Sequence, residues 1–160
     1  MKIKGLTHAG IIACLYAVLT LMPGLNALAF GPVQLRVSEV MTVLAVFTPW
    51  AVPGLTIGCL IANMIGSPMI LDMIFGTAAT FFAAVATYKL RKRTIPAIIM
   101  PALFNGVIIG SMITAFYSET AFSIKLLLFN MCSVAAGELI VCMVLGYPLI
   151  KILRKYKIFN

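Results

Sequence analysis

The chain has 160 residues, 62% of them hydrophobic, and a mean hydropathy of +1.11. That is more apolar surface than a soluble domain of this size can hide, and the long unbroken apolar runs do not suit the strict alternation of a membrane barrel. The expected class is therefore an all-α integral membrane protein, one domain over residues 1–160, and the net charge of +8 does not mark a nucleic-acid binder, because the basic residues stand at the ends of apolar runs.

Lys2 and Lys4 precede the first apolar run. With Ala27-Leu28-Ala29 they imitate a cleavable leader, but the run is longer than a leader's core and is interrupted at Pro23-Gly24, which favours a retained helix. On that helix Ala9, Ala13 and Ala17 recur at i, i+4, with Gly5 one turn back. Such a strip of small side chains lets another helix approach closely, whether from this chain or from a separate membrane subunit. His8 is the one histidine; placed at the cytoplasmic end of the helix, it supports neither a metal site nor a histidine-based triad. The stretch GPVQLRVSEV, residues 31–40, then gathers Gln34, Arg36, Ser38 and Glu39, and reads as an outside loop leading into the second helix. Arg36 and Glu39 are three apart, so they share a face if that helix begins early enough.

Two short helices are expected near residues 38–47 and 54–65, punctuated by TPWAVPG and GSP. Both fall short of the roughly 20 residues that span a bilayer comfortably, so they should be tilted, packed among neighbours or incompletely spanning. Further helices are expected over about 69–88, 94–117 and 121–151, with Tyr117-Ser118-Glu119-Thr120 as an outside turn. Basic residues cluster at Lys2 and Lys4, at Lys89, Arg91, Lys92 and Arg93, and at Lys151, Arg154, Lys155 and Lys157. Placing all three clusters in the cytoplasm gives six crossings with both termini inside. Cys14, Cys59, Cys132 and Cys142 lie in apolar runs without CxxC spacing and read as small apolar fillers.

A charged group at the centre of a membrane helix costs about 2.5–3.5 kcal/mol on insertion scales, so each should face an interior and find a partner. Glu138 lies mid-helix, and Asn105 precedes a Gly106/Gly110 pair that suits close helix packing. Asp72 opens a helix near its outer end, where an acid is also favoured by the helix dipole. Glu119 reads as a solvated turn residue, and Asn63 and Asn130, nearer helix ends, rank below Asn105. For each candidate an internal pair or cap stands beside a ligand role. Under this topology Arg36, Glu39 and Asp72 approach one outward-facing cavity, and Gln34 offers both a donor and an acceptor.

The blocks YAVLT, GPVQLRVSEV, PGLTIGCLIAN, DMIFGTAAT, PALFNGVIIG and AAGELIVCMVLGYPL resemble, in order, the QueT family, over roughly Ala13 to Leu153. The resemblance implies the six-helix substrate-binding S component of an energy-coupling factor transporter in the bacterial plasma membrane. Such a subunit captures a queuosine precursor outside the cell and works with a membrane coupling subunit and two cytoplasmic ATPases. It is not an enzyme, and it holds no cofactor or metal. The resemblance assigns Ala9, Ala13 and Ala17 to docking on the coupling subunit, and the lack of a GxxxxGK[ST] stretch agrees with ATP being handled elsewhere. A precursor such as 7-aminomethyl-7-deazaguanine asks for a carboxylate on its guanine-like edge, a second on its ammonium and a donor to its carbonyl. Glu138 is expected on the edge, Glu39 or Asp72 on the ammonium, and Asn105 or Gln34 on the carbonyl. Arg36 shapes the loop, and Phe75, Phe104 and Tyr117 are possible walls, with core packing the alternative for each. The competing readings are an S component for another nucleobase or vitamin, a self-contained transporter, for which no internal repeat is visible, and an intramembrane enzyme built on Glu138 and Asp72, which lacks a nucleophile nearby.

Overall fold

The computed structural model describes residues 2–25, 29, 35–67, 69–118 and 122–156, the side chain of Lys2 excepted. Helix α1 is Lys2–Leu21, and the turn after it uses Gly24 at φ 86°, a left-handed conformation that glycine adopts without a Cβ clash. Residues Val37–Val46 then form a 3₁₀ helix. Helix α2 is Ala51–Gly66. A π-helical turn, Asp72–Gly76, runs straight into α3, Thr77–Lys89. Helix α4 is Thr94–Met112 and ends in a second π turn, Ile113–Tyr117. Helix α5, Ile124–Val141, continues through a third, Cys142–Gly146, into α6, Tyr147–Tyr156.

The helical segments fall where the sequence places them, with one difference of kind. Val37–Val46 is not α-helical. Five of its ten residues are β-branched, which weakens α propensity, and the tighter helix rises about 2.0 Å per residue against 1.5 Å, so ten residues reach roughly 20 Å rather than 15. So long a 3₁₀ run is held by its surroundings: Ser38–Val46 are all buried, with α1, α2, α3, α4, α5 and the third π turn packed around them.

Three helical stretches are long and apolar enough to cross a membrane, Ile3–Leu21, Thr94–Tyr117 and Ile124–Tyr156, while Val37–Val46 and Ala51–Gly66 are shorter apolar helices. Polarity is distributed inside out. Ile65 and Phe129 are each 69% exposed, whereas Arg36, Glu39, Asn63, Asn105 and Glu138 are 0–1% exposed. An apolar exterior of this extent suits hydrocarbon, and the buried ionisable groups mark a polar interior.

Close approach of two helix pairs sets the frame. A Cβ on Gly54 would lie 2.7 Å from the carbonyl oxygen of Ala9, and one on Gly58 2.7 Å from that of Ala13. A Cβ on Gly5 would run into the Trp50 indole. Helices α4 and α5 meet in the same way, where a Cβ on Gly110 would sit 2.5 Å from the Met131 Cα and one on Gly106 2.7 Å from the Ala135 Cβ. The Gly106/Gly110 pair is thus a packing device, and Asn130 ties the same two helices by donating to Thr114 Oγ1 at 3.0 Å. Leu90, Ala97 and Ile150 share one cluster around Val46, so the basic turn at 91–93 and the basic α6 lie at the same end of the bundle. Ser67, Asp72 and Tyr117 meet at the other.

Candidate functional site: a buried polar cluster

The site begins with the 3₁₀ helix. With three residues per turn, side chains at i and i+3 eclipse, so Arg36, which caps the helix, and Glu39, in its first turn, share a face. Glu39 Oε1 accepts from the Tyr16 hydroxyl of α1 at 2.5 Å and from Thr80 Oγ1 of α3 at 3.0 Å. Thr80 has a single proton, claimed by the carboxylate, so Cys59 Sγ at 3.3 Å can return its own proton to the Thr80 oxygen. One helical turn on, Asn63 Nδ2 donates to Cys59 Sγ at 3.3 Å and to the main-chain oxygen of Asp72 at 3.2 Å. The chain of contacts therefore runs from α1 through the 3₁₀ helix and α3 to α2.

A second pair closes the cluster from α4 and α5. Asn105 Nδ2 donates to Glu138 Oε2 at 2.6 Å. Arg36 donates from Nε to the Ala29 carbonyl at 3.3 Å, and its charge acts on both Glu39 and Glu138. Space for it comes from Gly76: a Cβ there would lie 3.3 Å from Arg36 Nη1 and 2.7 Å from Asn63 Nδ2. The π turn at Asp72–Gly76 carries this glycine to the cluster, and such turns recur at functional sites.

Four acceptors in this cluster have no partner among the described residues: Glu39 Oε2, Glu138 Oε1, Asn63 Oδ1 and Asn105 Oδ1. The amide orientations are dictated by their neighbours. Asp72 offers Asn63 a main-chain oxygen, which only accepts, and Glu138 offers Asn105 a carboxylate oxygen, so in each amide the nitrogen is engaged and the oxygen is left over. An unpaired buried polar group costs about 1–3 kcal/mol. Four together are the inner surface of a site that a ligand rich in N–H donors would complete. With two carboxylates against one guanidinium, the cluster also favours a cation.

Of the residues singled out from sequence, Arg36, Glu39, Asn105 and Glu138 come together. Asp72 does not join them: it is only partly buried, and its carboxylate accepts from Ser67 Oγ at 2.5 Å and from the Tyr117 hydroxyl at 3.4 Å. Its acid lies in the first turn of the π segment. Gln34 and Glu119 lie outside the described residues.

Three expectations need correction. Arg36, Ser38 and Glu39 are not in a solvated loop but at 0–1% exposure, because the 3₁₀ helix starts early and carries them into the core. Cys59 is no mere apolar filler, since it receives and returns hydrogen bonds within the cluster. Phe104 does not wall the site: it stacks on Phe82 at 6.2 Å, and Phe82 is 48% exposed on the outer surface. Phe75 packs with Ile109, Met112 and Val134 and tilts against Phe116. Ala9, Ala13 and Ala17 are 6–8% exposed, and Gly54 and Gly58 of α2 press against their helix. Sequence reasoning missed Tyr16 and Thr80, read Cys59 as a filler and ranked Asn63 below Asn105. The available signal was spacing, since Tyr16/Thr20 and Cys59/Asn63 are polar or soft pairs four apart in apolar helices, each pair on one face.

Apolar helices around a buried, charged and incompletely satisfied cluster define an all-helical membrane protein with a polar interior. The QueT transporter family matches residues 6–155, and the chain belongs to that family, which comprises transporters rather than enzymes. The protein named Queuosine precursor transporter QueT from Lactococcus lactis subsp. cremoris (strain MG1363) is 41% identical over 79 residues, 49% of this chain and 46% of the relative. The match thus spans about half the length of that relative. No solved structure matches the chain.

Proposed function

We propose that this chain is the substrate-capturing S component of an energy-coupling factor importer in the bacterial plasma membrane, with six crossings, both termini in the cytoplasm and a queuosine precursor as its substrate. Capture occurs from outside without chemical change to the substrate, and ATP is hydrolysed by separate subunits. The observation that carries this reading is the set of unpartnered buried acceptors on Glu39, Glu138, Asn63 and Asn105. A 7-aminomethyl-7-deazaguanine presents a matching set of donors: ring N–H groups, an exocyclic amine and an ammonium. Glu138 accepts from the guanine-like edge and Glu39 from the ammonium. Asn105, whose nitrogen is engaged by Glu138, acts as an acceptor rather than as the carbonyl's donor, which leaves that task to Gln34 or Arg36.

The basic residues at one end of the bundle support the proposed orientation, since a cytoplasmic excess of Lys and Arg sets topology. In that orientation Asp72, Ser67 and Tyr117 face outward. For coupling, the membrane-facing groove of about 670 Å³ between α1 and α2 is the proposed dock, lined by Gly10, Cys14 and Val18 on one wall and Ile57 and Ile61 on the other. Ala13 and Ala17 also border this groove; Ala9 does not, so the docking role contracts to the outer two alanines. Equilibrium binding of 7-aminomethyl-7-deazaguanine by the purified chain tests the substrate, and tight binding of riboflavin or biotin with none for deazaguanines would overturn it.

A further inference from the structure

We infer that Asn63 is a substrate-reading residue: its carboxamide is clamped so that Oδ1 is presented as a fixed acceptor to one N–H of the bound base. This rests on the substrate reading above. Asn63 is 0% exposed, and both protons of its amide are committed, one to Cys59 Sγ at 3.3 Å and one to the Asp72 main-chain oxygen at 3.2 Å. The Asp72 oxygen cannot donate, so the amide cannot turn over without placing two acceptors face to face. Oδ1 is consequently held in one orientation, buried and without a partner among the described residues. A residue serving only to brace α2 against the π turn would gain nothing from leaving this oxygen unsatisfied, at a penalty of about 1–3 kcal/mol.

Two neighbours act as positioning residues. Gly76 is the point where any side chain would collide with the amide, a Cβ there falling 2.7 Å from Asn63 Nδ2. Cys59 holds the second amide proton and is itself linked to Glu39 through Thr80. Asn63 is thereby coupled both to the acidic centre of the site and, through the main chain of Asp72, to the π turn. A fixed acceptor of this kind discriminates strongly, because a ligand lacking the matching N–H leaves the buried oxygen unpaired.

The test is a grid of calorimetric affinities for wild type, Asn63→Leu and Gly76→Ala in detergent. The probes are 7-aminomethyl-7-deazaguanine, its analogue without the exocyclic amine, its N1-methyl analogue, and 7-deazaguanine without the aminomethyl group. The inference expects Asn63→Leu to bind the parent at least tenfold more weakly, and one of the three analogues to bind variant and wild type equally, because that analogue lacks the N–H that Asn63 reads. Gly76→Ala should show the same analogue pattern. Unchanged affinity for the parent in Asn63→Leu, or an equal loss for the parent and all three analogues, would overturn the inference while leaving the substrate reading intact. If wild type binds none of the four, both fall. Should Asn63→Leu not purify as a monodisperse protein, Asn63→Ser carries the same comparison.

Discussion

Asn105 of α4 donates to Glu138 Oε2 of α5 at 2.6 Å, while the other oxygen of the same carboxylate is buried without a partner among the described residues. One half of Glu138 therefore belongs to the bundle, and the other half is open to the proposed ligand. Glu138→Gln keeps the shape, weakens the charge and replaces one acceptor by a donor. Affinity for 7-aminomethyl-7-deazaguanine should fall at least tenfold, equivalent to about 1.4 kcal/mol, with the protein still inserted and monodisperse. Calorimetry on the purified variant checks this, and unchanged affinity would remove Glu138 from the site.

Tyr16 and Thr80 together hold Glu39 Oε1. Tyr16→Phe strips one donor from a buried carboxylate, a loss of about 1–3 kcal/mol. The thermal midpoint of the ligand-free protein should drop. The double variant Tyr16→Phe/Glu39→Gln should be less destabilised than the two single effects summed, since the residues act as a pair. Additive losses in thermal unfolding would show that the contact carries no energy.

Gly110 and Gly10 make a contrasting pair. A Cβ at Gly110 would meet the Met131 backbone, whereas one at Gly10 has nothing within 4 Å. Gly110→Ala should destabilise by about 1–3 kcal/mol through overpacking, and Gly10→Ala should stabilise by roughly 0.5–1 kcal/mol through lost chain entropy. Thermal unfolding in one detergent gives both signs.

The same opening at Gly10 isolates coupling from capture. Gly10→Trp fills the groove beside Cys14 and Ile61 without touching the buried cluster. Substrate affinity of the isolated chain should stay within about twofold of wild type, while ATP-driven uptake after reconstitution with the coupling subunit and ATPases should be lost. Full uptake would move the dock elsewhere.

How far the sequence reached follows from the physics of each signal. Apolar runs, Pro-Gly breaks and basic clusters set helix positions to within a few residues, because a helix in hydrocarbon leaves little choice of boundary. Arg36, Glu39, Asn105 and Glu138 were legible as residues of a buried polar cluster because charge and amide groups are rare in such a chain and expensive to bury. Tyr16, Thr80, Cys59 and Asn63 were not, since hydroxyl, thiol and amide groups near helix ends are cheap enough to serve packing alone. Burial of residues 36–40 turned on a helix that begins early and is 3₁₀ rather than α, which the β-branched run over Val37–Val46 hinted at but hydropathy alone does not report. The alanine strip showed that two helices meet closely; that the partner helix is α2 of the same chain required the opposing glycines at 54 and 58.

The most direct test of a donor-rich, cationic substrate held by buried acceptors is equilibrium binding to the purified chain alone, without ATPases. 7-Aminomethyl-7-deazaguanine should bind wild type with a single-site isotherm, and 7-deazaguanine, which lacks the ammonium, should bind Glu39→Gln and wild type equally. No binding of the aminomethyl base by wild type, or Glu39→Gln weakening both bases by the same factor, would contradict the account.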